Sequence, residues 1–160
     1  MIRWRSTFLL LLASGLVFAI ASLSGQYAEE TDRPDSDARK FAARSRAYDL
    51  EFAVSAGGNY KRRDTYWEGV IGEEDIVLMP LQLIKGNDYI VALGLGAKEN
   101  AVAVTAFDCA GKVMPLISDE KEGCLLLQIQ PDRSGTHFLR LRLRKGATAP
   151  VFGVMTYLYR

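Results

Sequence analysis

The sequence predicts a mainly β domain, an antiparallel sandwich or barrel, preceded by a single N-terminal α-helix. Three observations carry this. After Asn59 the apolar residues alternate instead of recurring at helical spacing. About seven or eight short runs follow at intervals of about ten residues, separated by turn residues. No helical pattern interrupts them, which argues against a parallel α/β sheet.

The chain opens with Arg3 and Arg5, then an apolar core from Phe8 to Ala21, with small residues gathered at Ala19, Ala21, Ser22 and Ser24. This is the layout of a secretory signal peptide over residues 1–21, cut after Ala21 or at the nearby Ser22-Leu23-Ser24. The alternative is a retained membrane anchor. An apolar core of about 14 residues falls short of the roughly 20 that span a bilayer, which favours cleavage. No cysteine follows the run, so a lipid-modified N-terminus is not expected.

Removing this segment lowers the basic count from 20 to 18 against 19 acids, so the mature chain is close to neutral. A dedicated nucleic-acid binder carries a clear basic excess, and none exists here. About 139 residues remain, enough for one ordinary core. Cys109 and Cys124, an even number in an exported chain, are read as one disulfide closing a loop of about 15 residues, worth about 3 kcal/mol. Two free thiols or a redox pair are the alternatives, although the spacing is unlike Cys-x-x-Cys.

Residues 22–37 are polar and acidic with Pro34 among them, a disordered lead-in. An amphipathic helix is expected over 38–58. Asp35, Ser36 or Asp37 would cap it, and Gly57-Gly58 would end it. Phe41, Tyr48 and Phe52 share one of its faces, which is expected to pack on the domain; a partner or a membrane surface is the alternative. The sandwich domain then fills 59–160. Its strands are expected at Tyr66–Ile71, Ile76–Leu83, Asp88–Leu95, Val102–Asp108, Lys112–Leu116, Leu125–Gln130, Thr136–Arg144 and Val151–Tyr159.

The clearest alternation is Phe138-Leu139-Arg140-Leu141-Arg142-Leu143-Arg144. Its leucines belong to the core, where Leu125, Leu127 and Ile129 of a neighbouring strand should meet them. Its arginines point outward. Along the last strand Met155, Tyr157 and Tyr159 alternate with Val154, Thr156 and Leu158. With both faces apolar, it is either central in the sandwich or half of an interface.

Three passages resemble the bacterial pre-peptidase C-terminal domains. They are Leu83-Ile84-Lys85-Gly86-Asn87-Asp88-Tyr89-Ile90-Val91-Ala92, then Val104 to Val113 with Asp108 and Gly111, then Gln130 to Leu141 with Pro131 and Gly135. They occur in family order within about 67–160 of the chain. The resemblance implies a jelly-roll-like antiparallel β-sandwich in an accessory role. The aromatic that follows the family's third glycine is displaced here to His137-Phe138. Polymer binding aided by calcium occurs among such domains, yet Glu73-Glu74-Asp75 and Asp119-Glu120-Glu122 lack the alternate-position ligands of a calcium loop and are read as solvated turns.

Catalytic groups are sparse. His137 is the sole histidine, which excludes a multi-histidine zinc site. Ser134, His137 and Asp132 fall within one hairpin, and no Gly-x-Ser-x-Gly elbow exposes a nucleophile. Glu51, Glu68, Asp75 and Asp119 are not paired by any motif, and Gly94-x-Gly96 does not lead into a helix.

The reading is therefore a non-catalytic exported or periplasmic binding or accessory module of a bacterial envelope. It takes a polymer or protein on a sheet face through Arg140, Arg142 and Arg144. No cofactor, metal or nucleic acid is expected, and membrane contact only if the apolar segment is retained. A second reading is a self-associating envelope protein using the Tyr48 helix face or the Tyr157/Tyr159 strand, and a third is a small hydrolase.

Overall fold

Alternation after Asn59 becomes two antiparallel sheets packed face to face, with one helix on the outside. The computed structural model describes residues 34–63, 67–98, 101–148 and 150–160; the expected leader, 1–21, and most of the lead-in lie outside the described residues. In chain order the elements are α1 (Pro34–Gly57), β1 (Lys61–Arg62), β2 (Trp67–Ile71), β3 (Val77–Leu83), β4 (Tyr89–Leu95), β5 (Val102–Phe107), β6 (Ile117–Lys121), β7 (Cys124–Ile129), β8 (Gly135–Leu143) and β9 (Val151–Tyr159). The larger sheet runs β1-β9-β4-β7-β6, with β2 also paired to β9; the smaller runs β3-β8-β5.

Parity along each strand builds the core. Tyr89, Val91, Leu93 and Leu95 of β4, Leu125, Leu127 and Ile129 of β7, and Leu139 and Leu141 of β8 share one buried cluster. Each such leucine contributes about 1.5–3 kcal/mol by leaving water. The β7 residues meet the β8 leucines across the sandwich, not from a neighbouring strand, because β7 and β8 belong to different sheets. The last strand is central: β9 pairs with β4 on one side and with β1 and β2 on the other. Tyr157 is buried, so the Tyr157/Tyr159 strand is no interface.

Helix α1 lies on the outer face of the larger sheet, over β4 and β9. It begins at Pro34, earlier than expected; proline at the first helical position has a suitable φ and leaves no N–H unpaired. Asp35, Ser36 and Asp37 therefore fall inside the first turn and do not precede it. The buried stripe is Ala43 and Ala47, packed on Val154 and the partly buried Phe152. Phe41, Tyr48 and Phe52 are on the opposite side and are 72%, 42% and 76% exposed. The expectation that this aromatic face packs on the domain is corrected. Gly94 brings the sheet backbone so close to Ala43 and Ala47 that only small side chains fit between them.

Two other expectations change. Lys112–Leu116 forms no strand, only an isolated bridge between Phe107 and Val113. Asp108 closes a turn directly after β5, its Oδ1 accepting the N–H groups of Ala110 at 2.9 Å and Lys112 at 2.7 Å. Pro115 then lacks the N–H that a ladder needs. The strand that pairs with β7 is instead β6, Ile-Ser-Asp-Glu-Lys, joined to it by the two-residue turn Glu122-Gly123. Both turn residues have positive φ, 47° and 79°, as a tight hairpin of this length requires.

The disulfide expectation is also corrected. Cys109 follows β5 of the smaller sheet, Cys124 opens β7 of the larger, and both are free thiols. Their separation in sequence is short, but the chain changes sheets between them.

Candidate functional site

With α1 occupying the outside of the larger sheet, the outer face of β3-β8-β5 is the one that no described element covers. Parity sends Leu78, Pro80 and Gln82 of β3, Thr136, Phe138, Arg140 and Arg142 of β8, and Ala103, Thr105 and Phe107 of β5 to this side. Register sets them in rows. Pro80, Phe138 and Phe107 form one, and Leu78, Arg140 and Thr105 the next. Leu78 is 55% exposed, and the side chains of Ile76 and Ile84, just beyond the ends of β3, are exposed as well. The face is thus an apolar ledge carrying guanidinium groups.

The three arginines of the alternating strand have different situations. Arg140 is half-buried, its guanidinium 5.1 Å from the centre of the Phe107 ring and its Nη2 donating to Thr105 Oγ1 at 3.3 Å. Its Nε is buried without a partner among the described residues. Arg142 is exposed and makes no ion pair among the described residues. Arg144 leaves the row. Its Nη2 donates to both Glu120 carboxylate oxygens, at 2.6 and 2.8 Å, and its Nε to the Val102 carbonyl at 3.1 Å. It ties β5 of one sheet to β6 of the other, so the structure brings Arg140 and Arg142 together on the face and assigns Arg144 to its edge.

The serine, histidine and aspartate of one hairpin do not form a relay. Ser134 Oγ accepts the Lys85 N–H at 2.9 Å, and the buried His137 faces the core with Nδ1 3.1 Å from the Gly135 carbonyl. No group of three or more His, Cys, Asp or Glu side chains able to hold a metal ion occurs among the described residues. The passages of the family resemblance carry structural duties: Tyr89 Oη accepts the Ile84 N–H at 2.9 Å, closing the β3–β4 turn.

Sequence reading missed the apolar half of this face. Leu78, Pro80, Phe107 and Phe138 attract no attention in a pattern search for charged or catalytic groups. Parity within Val77–Leu83 would have found the first two, once the inward set Met79, Leu81 and Leu83 is fixed.

An uncovered, mixed apolar and basic sheet face on a helix-backed β-sandwich defines the class of this domain. No family model matches the chain, so the pre-peptidase C-terminal resemblance rests on its three sequence passages. No curated protein matches it either. Among solved structures it is similar to PliG of Aeromonas hydrophila, a periplasmic lysozyme inhibitor of g-type lysozyme. The two are 12% identical, with a TM-score of 0.45 over 60% of this chain and 85% of that one.

Proposed function

We propose that the chain is an exported, non-catalytic binding module of a bacterial envelope that holds a protein partner on the outer face of β3-β8-β5. Export rests on the order of Arg3 and Arg5, the apolar core Phe8–Ala21 and the small residues at its end. The binding reading rests on one observation: the exposed Leu78 and Pro80 and the half-buried Phe107 and Phe138 lie beside Arg140 and Arg142 on a face that no described element covers. Aromatic and arginine side chains over apolar surface are what protein interfaces enrich. A polyanion would call for a row of guanidiniums free to meet it, and Arg144 is already held by Glu120. The partner therefore presents apolar side chains to the ledge and carboxylates to Arg140 and Arg142.

The test is capture of envelope proteins by the wild-type chain, by Leu78→Ser/Arg142→Glu, and by Phe41→Ser/Phe52→Ser on the opposite side of the molecule. A partner lost about tenfold or more with the first variant and kept by the second supports the reading. Equal capture by all three overturns it.

A further inference from the structure

The two arginines of the β3-β8-β5 face are held differently, and strand register explains the difference. Opposite Arg140 on β5 stands Thr105, with Phe107 in the next row; opposite Arg142 stands Ala103. Threonine offers an oxygen and phenylalanine a ring face, while alanine offers neither. Arg140 uses both. Its Nη2 donates to Thr105 Oγ1 at 3.3 Å, and its guanidinium lies 5.1 Å from the centre of the Phe107 ring. Arg142 is exposed and has no hydrogen bond, ion pair or ring contact among the described residues.

These contacts carry the Arg140 guanidinium over β5, away from Leu78 and Pro80 of β3. A fixed positive charge therefore stands beside an apolar strip made by Leu78, Pro80 and Phe138. Adjacent rows on one face of a strand are about 7 Å apart. With Nε covered by the protein and Nη2 shared with Thr105, the Nη1 end is left for an incoming oxygen. A guanidinium stacked on a ring and held by a hydrogen bond is ordered before a partner arrives, which removes that cost from binding. The acidic turn Glu73-Glu74-Asp75 leads into β3 at the Arg142 end of the face, and Asp75 there accepts the Gly72 N–H. No described carboxylate pairs with Arg140 or Arg142.

We infer that Arg140 is the specificity-determining residue of this face, and that it reads one carboxylate set beside an apolar group resting on Leu78, Pro80 and Phe138. The inference rests on the binding reading given above and assigns its two arginines separate duties. Thr105 and Phe107 are positioning residues, acting through Arg140. Arg142, with Ala103 opposite it, adds attraction at a distance, which needs no fixed orientation. The partner segment therefore carries Asp or Glu about 7 Å from a large apolar side chain, the spacing of alternate residues in an extended chain.

The test follows the arginine Nε–H signals by NMR while 4-phenylbutanoate, a ring and a carboxylate at about this spacing, is titrated against its neutral twin 4-phenylbutanamide. In the free chain the Arg140 signal should be ordered and slow to exchange, and that of Arg142 mobile. Thr105→Val/Phe107→Leu should make Arg140 as mobile as Arg142, with thermal unfolding confirming the fold, whereas Thr105→Ser should keep it ordered. The acid should shift the Arg140 Nε–H and the Phe138 amide and bind about tenfold more tightly than the amide twin. That preference should survive Arg142→Gln and vanish in Arg140→Gln. An Arg140 side chain as mobile as Arg142, a preference lost equally in both glutamine variants, or no preference for the acid would overturn the inference. Loss of a captured partner by Leu78→Ser/Arg142→Glu alongside no such preference would leave the binding reading standing and strike only the role of Arg140.

Discussion

A Cβ built on Gly94 would stand 2.6 Å from the backbone nitrogen of Ala47. Helix α1 and strand β4 approach each other through their smallest residues, and this single contact decides which side of the helix faces the sheet. Gly94→Ala should destabilise the domain by about 1–3 kcal/mol, since backbone cannot yield as a side-chain tip can. Urea unfolding measures this. A change within about 0.5 kcal/mol would mean the helix does not dock as described.

The converse holds on the other side of α1. Phe41→Ser/Phe52→Ser removes two large rings, which in a core would cost about 3–5 kcal/mol each. With both rings exposed, the monomer's stability should move by no more than about 0.5 kcal/mol per site. Unfolding at low micromolar concentration isolates that quantity from any association.

The thiols should behave as two separate groups. Intact mass should be the same with and without reductant. Cys109, exposed, should react first with a thiol reagent, and Cys124 more slowly, because burial pushes its thiol above the ordinary value. Cys124 should need a pH above the ordinary thiol range to react at full rate. Equal rates at all pH values would contradict its placement.

Asp108 should give the domain part of its acid sensitivity. The Lys112 N–H and then the Ala110 N–H, both donating to its carboxylate, hold it below the usual carboxylate range. The unfolded chain then takes up the proton first as pH falls. The stabilisation is complete above the ordinary value of about 3.9 and is lost as pH drops through the lower folded one. Asp108→Asn should therefore lower Tm near neutrality, with the difference from wild type shrinking in strong acid. A difference independent of pH would exclude the carboxylate as its source.

The arginines should separate into two effects. Arg144→Ser breaks the links to Glu120 and Val102 and should lower stability by about 0.5–1 kcal/mol, as a partly exposed ion pair does. Arg142→Ser should leave unfolding unchanged and weaken only partner binding. If both variants unfold alike, the distinction between edge tie and open face is wrong.

What the sequence showed and concealed follows from how each contact is encoded. Leu139 and Leu141 were legible because a strand with one buried face must alternate. Two apolar faces narrowed β9 to a central strand or an interface, and only its pairing with β4 on one side and β1 and β2 on the other decides for the centre. The buried side of α1 was not legible. Apolar spacing marks Phe41, Tyr48 and Phe52, but contact through Ala43, Ala47 and Gly94 carries almost no hydrophobic signal. Strand β6 was hidden for a related reason: Ile-Ser-Asp-Glu-Lys is an edge strand, and charges on an edge discourage unwanted pairing while erasing the alternation. The cysteines misled because a short separation in sequence does not show a change of sheet. On the candidate face, Arg140 and Arg142 were found by pattern and the separate duty of Arg144 was not, since Glu120 lies on another sheet.

The small-residue seam beneath α1 has a consequence for how the chain can change over time. Folding constrains Ala43, Ala47 and Gly94, and it leaves Phe41, Tyr48 and Phe52 open to substitution by polar residues at little structural cost. Rings at Phe41 and Phe52 therefore serve something other than the contacts of the described fold. A growth defect from a serine at Phe41 or Phe52 would report the loss of that other role, while the same defect from alanine at Gly94 would report a lost fold.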